Sequence, residues 1–297
     1  MVDINRILCP VDLSDVSRHA LDHALALARW YDAQVTVLHV RELSQQVHVA
    51  STPGEIPAVL PVEPDVVVAE VRRFCGEPAD APDGRVTVMV KDGRPVKEIL
   101  QQAEHADLLV MGTHGRSGFE RIFLGSVTEK VLRSTHVPVL TVPPPVERPE
   151  TVVYKTILCP IEFSSASARA LAYALSLAKE TDARLILLHV VEGSADQLSV
   201  MEMGHLSVRE YYRYLEEDAM ARLKAAVPDE ARVWCTPDER IATGKAYRGI
   251  LNVAAEEKAE LIVMGVHGRG ALHLRLLGST THHVIREAGC PVLTLRD

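Results

Sequence analysis

A glycine-rich motif occurs once in each half of this chain, and each copy follows an apolar run that reads as a buried strand. The first copy is Gly112-Thr113-His114-Gly115, then nine residues, then Gly125-Ser126. The second copy is Gly265-Val266-His267-Gly268, then nine residues, then Gly278-Ser279. Glycines at the end of a strand let backbone N–H groups approach a phosphate, and the N-terminus of a following helix adds a favourable dipole. The spacing therefore predicts a phosphate cradle in each half.

The two halves match well beyond the glycines. Residues Ile7–Ser14 align with residues Ile157–Ser164, which places a duplicated strand and turn at the start of each half. The repeated unit has the length of a whole domain rather than of a short solenoid repeat. We therefore predict one domain over residues 1–145 and a second over residues 152–297, joined by a Pro-rich linker over residues 146–151.

Within each half, apolar runs typical of buried strands alternate with segments of helical periodicity. Strands are expected near residues 6–11, 35–40, 85–90, 108–111 and 137–142, and helices near residues 20–28, 66–74, 96–104 and from residue 126. The second half repeats this order, with a long helix over residues 207–226 in place of a Pro-rich segment. This alternation predicts an α/β fold with a parallel sheet and ligands at the carboxyl ends of its strands.

Composition narrows the classes of partner and compartment. Hydrophobic residues make up 47% of the chain, yet no apolar run approaches the length that crosses a bilayer, and no secretory leader opens the sequence. A formal net charge of −8 argues against nucleic acid or an anionic membrane as the main partner. The five cysteines are scattered, and Cys9 and Cys159 lie in expected strands, which is typical of core residues in a reducing compartment. We expect a cytoplasmic protein.

These residues resemble the universal stress protein family, in its tandem, ATP-binding branch. The family pattern G-x2-G-x9-G-[ST] occurs in full in both halves, and Ile7–Ser14 resembles the family's first strand and turn. The resemblance implies two tandem Rossmann-like domains of the adenine nucleotide alpha hydrolase-like kind. Each would be a five-stranded parallel sheet of order 3-2-1-4-5 with helices on both faces. It also implies an intramolecular pseudo-dimer paired through the fifth strands, and leaves a homodimer open.

The resemblance further implies a bound adenine nucleotide, ATP or else AMP or ADP, with Mg²⁺ able to accompany the phosphates. The contact residues implied in the first half are Asp12 and Val40 for the adenosine, with Gly112, Gly115, Gly125, Ser126 and Val127 for the ribose and phosphates. Their counterparts are Glu162, Val190, Gly265, Gly268, Gly278, Ser279 and Thr280. His114, Arg116 and Arg269 lie in or beside the glycine loops and are added as candidate phosphate contacts.

One departure from the family pattern concerns the second half. Glu162 stands where the family has aspartate, and its extra methylene moves the carboxylate about 1.5 Å further from the backbone. A shift of that size can disturb a contact to a sugar. We therefore expect the second site to bind more weakly.

Several candidate residues also have a purely structural interpretation. Ser126 with Glu129 fits a capping box, and Asp12 could cap the first helix, with Ser14 as a competitor. Gly112 and Gly265 could serve only to end strands, and the loop arginines could be solvated. His39 and His189 are more typical of packed or hydrogen-bonded histidines than of catalysts, and the cysteines do not lie at zinc-ligand spacing from the later histidines. No catalytic or metal-binding residue is assigned.

Three functions remain open at this point. The first is a nucleotide-dependent regulatory module of the stress response, in which residues 115–125 report the bound phosphates to an unidentified protein partner. The second is a slow ATPase or phosphotransferase, although no Lys-[Ser/Thr] follows the last glycine and no catalytic base is evident. The third is an interaction scaffold without nucleotide.

Overall fold

The computed structural model describes residues 2–42, 64–76, 84–114, 124–145, 151–192, 208–266 and 277–296. Contacts divide the chain into two compact units. The N-terminal unit is Asp3–Glu150, and the C-terminal unit is Thr151–Asp297 together with Met1–Val2. Each copy of the glycine motif therefore belongs to its own folded unit.

The N-terminal unit is a five-stranded parallel sheet with four described helices. Its strands are β1 (Arg6–Val11), β2 (Gln34–Arg41), β3 (Val86–Asp92), β4 (Leu108–Gly112) and β5 (Val139–Val142). Its helices are α1 (Asp15–Tyr31), α2 (Pro64–Cys75), α3 (Pro95–Ala103) and α4 (Ser126–Ser134). The strand order is β3-β2-β1-β4-β5, with α1 packed beside α2 and α3 beside α4.

The C-terminal unit repeats this arrangement. Its strands are β6 (Thr156–Pro160), β7 (Arg184–Val191), β8 (Asp238–Thr243), β9 (Leu261–Gly265) and β10 (Val292–Leu295). Its described helices are α5 (Ser165–Thr181), α6 (Val208–Ala226), α7 (Asp229–Arg232), α8 (Ala246–Glu256) and α9 (Ser279–Glu287). The order β10-β9-β6-β7-β8 is the same as in the first unit, so the predicted 3-2-1-4-5 sheet is confirmed in both.

The central strands form the core of each unit, as their continuous apolar runs predict. Cys9 and Cys159 are fully buried in β1 and β6, and burial raises the pKa of both thiols. Their prediction as core residues is confirmed. Within the residues that the structure describes, every helix is too short or too polar to span a bilayer.

The first and fourth strands of each sheet stop pairing before their carboxyl ends. The carbonyl of Arg6 accepts a hydrogen bond from the N–H of Asp107 at 2.8 Å, so the even-numbered residues of β1 face β4. Pro10 lies on that side and has no N–H to donate. Pairing of β1 with β4 accordingly ends at Leu8↔Leu109. Pro10 therefore lies inside β1 and ends its pairing with β4, but not its pairing with β2.

The early end of this pairing leaves a crevice between β1 and β4 at the carboxyl ends of the strands. Pairing of β1 with β2 continues to Val11↔His39, two or three residues beyond its pairing with β4. Pro160 has the same position in β6, whose pairing with β9 ends at Leu158↔Ile262. A crevice between the first and fourth strands is the topological switch point at which doubly wound sheets bind ligands.

Two strand boundaries in the N-terminal unit differ from the sequence prediction by two residues, and polar contacts explain both. β3 continues to Asp92 because its carboxylate pairs with the Arg41 guanidinium of β2 at 2.6 Å. β5 begins at Val139 because the N–H of Val137 is turned back to the Thr135 hydroxyl at 3.1 Å. Neither contact is visible in the periodicity of the apolar residues.

Candidate functional site

Each unit contains a cavity at the carboxyl ends of its first, second and fourth strands. The N-terminal cavity has a volume of about 380 Å³ and the C-terminal cavity about 350 Å³, within the range of small-molecule sites. Predicted residues that line the first are Asp12, Val40, Gly112, His114, Gly125, Ser126 and Val127. Those that line the second are Glu162, Val190, Gly265, Gly278, Ser279 and Thr280. Gly115, Arg116, Gly268 and Arg269 lie outside the described residues.

A helix without a side-chain cap begins at one end of each cavity. The N-cap of α4 is Gly125, which makes no side-chain hydrogen bond to the helix, and Ser126 is the first helical residue. The capping-box interpretation of Ser126 is therefore wrong, and the Glu129 carboxylate pairs instead with Arg133 at 2.8 Å. α9 begins in the same way, after Gly278. Backbone N–H groups at such a helix start have no intrahelical partner and attract anions.

Buried threonines fix the start of these two helices against the ends of the strands. The Thr128 hydroxyl donates to the carbonyl of Gly112 at 2.8 Å, and the N–H of Gly125 donates to the carbonyl of Thr113 at 2.7 Å. In the C-terminal unit, the Thr281 hydroxyl donates to the carbonyl of Gly265 at 3.1 Å. The sequence analysis missed both threonines, although their identity in the two halves was a usable signal.

The helix that follows the first strand is capped, in contrast to α4. Ser14 is the N-cap of α1, and its hydroxyl accepts from the N–H of Ser17 at 3.2 Å. Asp12 Oδ1 accepts from the N–H of Ser14 at 3.1 Å and from its hydroxyl at 2.5 Å. The interpretation of Asp12 as the cap is therefore wrong. Asp12 is oriented by the cap residue at the floor of the cavity.

The equivalent turn in the C-terminal unit uses a different set of bonds. The Ser164 hydroxyl donates to Glu162 Oε1 at 3.0 Å, so the longer carboxylate reaches the same serine as its counterpart does. The N–H of Ser164, however, donates to the hydroxyl of Ser167 at 3.0 Å, in a reciprocal capping box. The extra methylene of Glu162 is accommodated because Ser167 accepts that backbone hydrogen bond.

The two histidines at the ends of the second strands are hydrogen-bonded, as predicted. His39 Nδ1 lies 2.8 Å from the carbonyl oxygen of Val11, and His189 Nδ1 lies 2.6 Å from that of Ile161. Because a carbonyl only accepts, each Nδ1 carries the proton. Each histidine ties the end of the second strand to the end of the first.

Close helix packing requires the glycines that end the fourth strands. A Cβ on Gly112 would lie 2.8 Å from Val16 Cγ1, and one on Gly265 would lie 2.8 Å from Ala166 Cβ and 3.0 Å from its carbonyl carbon. The interpretation of these glycines as strand terminators alone is therefore incomplete. A valine at either position would therefore disturb the packing of the first helix of that unit, whether or not a ligand is bound.

The opposite end of each cavity, near the second strand, contains an acidic residue that the sequence analysis missed. Glu42 and Pro95 line the N-terminal cavity there, and Glu192 and Ala246 line the C-terminal cavity. The N–H of Ala246, the first residue of α8, donates to Glu192 Oε1 at 2.7 Å. Pro95 is the first residue of α3 and has no N–H to donate. The glutamate is identical in the two halves, which was again a usable signal.

Among the described residues, no cluster of three or more His, Cys, Asp or Glu could hold a metal ion.

Comparison with known proteins agrees with this architecture. A family model described as "Universal stress protein family" matches residues 3–143 and again residues 153–296. A universal stress protein of Methanocaldococcus jannaschii is 37% identical over 147 residues, which cover 47% of this chain and 82% of that protein. One from Mycobacterium tuberculosis is 28% identical over 214 residues, which cover 68% of this chain and 66% of that protein.

A solved structure extends the likeness over the full length. The crystal structure of a universal stress protein from Archaeoglobus fulgidus superposes with a TM-score of 0.65 and 25% sequence identity, covering 99% of each chain. The family match thus occurs twice, once in each folded unit. With two such domains in tandem, the chain belongs to the universal stress protein family.

Proposed function

We propose that the chain binds an adenine nucleotide, ATP or else AMP or ADP, in one or both units and acts as a nucleotide-dependent regulatory module. The observation that carries the proposal is the helix start without a side-chain cap in each cavity, after Gly125 and after Gly278. Such a terminus offers N–H donors and a positive dipole end to a phosphate. The family resemblance supports adenine as the base.

The charges around each cavity determine which end takes the phosphates. The N-termini of α3 and α8 also line the cavities, but each begins beside a glutamate, Glu42 or Glu192. Pro95 at the start of α3 has no N–H, and in the C-terminal unit the Glu192 carboxylate already accepts from Ala246. A phosphate there would meet a carboxylate. The phosphates therefore belong at α4 and α9, and the nucleoside extends towards the second strand.

The remaining lining residues suit this orientation. Asp12 and Glu162 follow the first strand, between the phosphate end and the second strand, where a carboxylate can accept from sugar hydroxyls. Val40 and Val190 lie at the end of the second strand and offer apolar surface and backbone groups to a base. We propose that residues 115–123 and 268–276, which precede the two helices in the sequence, transmit occupancy to a protein partner. Hydrogen exchange there should slow when ATP is added.

A single added charge at each helix start tests the proposal. Aspartate in the first turn of a helix is favourable for the helix itself, so Ser126→Asp and Ser279→Asp should fold. A phosphate about 5 Å from that carboxylate would be repelled by about 3 kcal/mol at an effective dielectric constant of about 20. We expect isothermal titration calorimetry with ATP to lose one binding event in each variant and both events in the double variant.

The matched controls are Ser126→Asn and Ser279→Asn, which have nearly the same shape and no charge. Binding should remain within a few-fold of the original protein in both. If the aspartate variants bind ATP as the asparagine variants do, the phosphates do not lie at these helices. A chain that neither binds ATP in solution nor co-purifies with an adenine nucleotide contradicts the proposed function as a whole.

A further inference from the structure

We infer that Glu192 selects the base in the C-terminal cavity, by accepting a hydrogen bond from an exocyclic amino group. This inference rests on the proposed nucleotide site and assigns its specificity. It would make that cavity prefer a 6-amino purine to a 6-oxo purine. The sequence analysis had no residue for that choice.

The fold fixes the position of the Glu192 carboxylate. Glu192 directly follows β7 and lines the cavity at the end remote from α9. Its Oε1 accepts from the N–H of Ala246 at 2.7 Å, at the first residue of α8. A carboxylate at the N-terminus of a helix interacts favourably with the helix dipole. One oxygen is thereby anchored and the carboxyl group is oriented.

The distance across the sheet matches the length of a nucleotide. β9, which leads to the phosphate end, and β7, which leads to Glu192, are separated by β6 alone. Two strand spacings amount to about 10 Å. A nucleotide with its phosphate at α9 therefore brings the far edge of its base to the Glu192 end.

The chemistry of a carboxylate then decides which bases fit. An ionised carboxylate accepts hydrogen bonds and donates none. The amino group of adenine can donate to it, whereas the carbonyl oxygen of hypoxanthine or guanine would face it as a second acceptor. Glu192 is exposed, so the 6-oxo purine loses one hydrogen bond to a charged group and leaves no buried group without a partner. The preference should therefore be about tenfold.

The N-terminal cavity provides an internal contrast. Glu42 occupies the equivalent position, but Pro95 replaces the residue whose N–H anchors the carboxylate in the other unit. The first residue of α3 therefore cannot anchor the Glu42 carboxylate in the way that Ala246 anchors Glu192. We expect the N-terminal cavity to discriminate less between the two kinds of purine.

The test compares ATP with ITP, which differ in the amino or oxo group at position 6 of the purine and in the adjacent N1, which carries a proton only in ITP. Calorimetry on the full chain carrying Ser126→Asp observes the C-terminal cavity alone. Glu192→Gln keeps an oxygen that can accept from Ala246, and turns the other terminal atom into a donor. We expect ATP affinity to fall about tenfold and ITP affinity to rise, so that the preference is lost or reversed.

A second variant removes the anchor and keeps the charge. Proline is well tolerated at the first position of a helix, and Lys245 before it has an extended ψ of 126°, which suits a residue preceding proline. Ala246→Pro should therefore fold, as a thermal unfolding scan can verify. The ratio of its ATP affinity to its ITP affinity should fall towards the ratio for the N-terminal cavity, which is observed alone in the Ser279→Asp chain.

The possible results separate this inference from the function on which it rests. If Glu192→Gln weakens ATP and ITP by the same factor, the carboxylate contacts the sugar or only supports the fold, and the inference is overturned. An unchanged ratio in that variant overturns it too, while ATP binding itself stands. If the chain binds neither nucleotide, the proposed function fails and the inference fails with it.

Discussion

The two cavities share one end and differ at the other. At one end, α4 and α9 begin identically, each after a glycine and each held by a threonine hydroxyl to the carbonyl that ends the fourth strand. Towards the second strand, Asp12 is replaced by Glu162 and Pro95 by Ala246. The difference teaches that the backbone frame of the cavity is common to both units, whereas the side chains that line the rest of it have diverged.

The turn into the first helix shows how such divergence is accommodated. In the N-terminal unit, the carboxylate of Asp12 accepts from the backbone N–H of Ser14. In the C-terminal unit, the hydroxyl of Ser167 accepts from the backbone N–H of Ser164 instead. The longer Glu162 accepts from the hydroxyl of Ser164. A buried N–H must find an acceptor, so the acidic side chain could lengthen only where another group took over that bond.

The largest expected difference between the units is in the stability lost when the glycines that end β4 and β9 are replaced. A Cβ on Gly265 meets backbone atoms of Ala166 and Ser167, whereas a Cβ on Gly112 meets mainly the end of the Val16 side chain, which can rotate. We expect Gly265→Ala to lower the free energy of unfolding of its unit by about 3 kcal/mol and Gly112→Ala by about 1 kcal/mol. Hydrogen exchange in rising urea reports the two units separately.

Gly289→Ala is the matched control for this pair, because a Cβ there meets no atom within 4 Å. It should change the free energy of unfolding by less than about 0.5 kcal/mol. Equal losses for Gly112→Ala and Gly265→Ala would show that the two helices approach their strands equally closely. That result would contradict the contrast drawn here.

Acid should lower the free energy of unfolding of the N-terminal unit more than that of the C-terminal unit. Burial, and then the neighbouring His19 at 3.4 Å, lowers the pKa of His23 from 6.5 to about 3. Arg169 and Tyr173 occupy the equivalent positions in the other unit. As pH falls below 6.5, the unfolded chain binds a proton at His23 that the folded unit does not. The unit therefore loses about 1.4 kcal/mol per pH unit, or about 2 kcal/mol by pH 5.

Urea unfolding of each unit at pH 7 and pH 5 measures this loss, again through hydrogen exchange. The His23→Leu variant cannot titrate at this position, so its N-terminal unit should lose much less stability over the same interval. Equal pH dependence in the two units, or the same loss in His23→Leu, would show that His23 is not the group responsible. Carboxylates with lowered pKa values, such as Asp107 and Asp238, contribute only at lower pH.

The fold could be predicted from the sequence because its signals are local and repeated. Buried parallel strands appear as continuous apolar runs, and the duplication supplies every such signal twice. The place of Pro10 was harder to interpret. Its effect depends on which neighbouring strand its missing N–H faces, and that is a property of strand register rather than of composition.

The candidate site was predictable in part, for a related reason. The predicted site residues lie mostly in the glycine motif of each half, and all of them that the structure describes line a cavity. The alternative interpretation of Ser126 as a cap arose because Ser126 and Glu129 satisfy a capping pattern, but the bond from Gly125 to Thr113 starts the helix one residue earlier than that pattern requires. Glu192 and Ala246 lie far apart in the sequence, so their contact could not be read from either position alone.

The smallest expected effect concerns the backbone N–H of the N-cap serine, which donates to Asp12 in the N-terminal unit and to Ser167 in the C-terminal unit. Ser17 and Ser167 each donate to the carbonyl of the cap residue at 2.9 Å, but only Ser167 also accepts from the backbone N–H of its cap residue. In Ser17→Ala, Asp12 still accepts from the N–H of Ser14, whereas Ser167→Ala leaves the N–H of Ser164 without its acceptor. Unfolding in urea should show Ser167→Ala to be the more destabilising by about 1 kcal/mol. Adding Asp12→Ala to Ser17→Ala should remove that difference, and if it does not, the two acceptors are not equivalent.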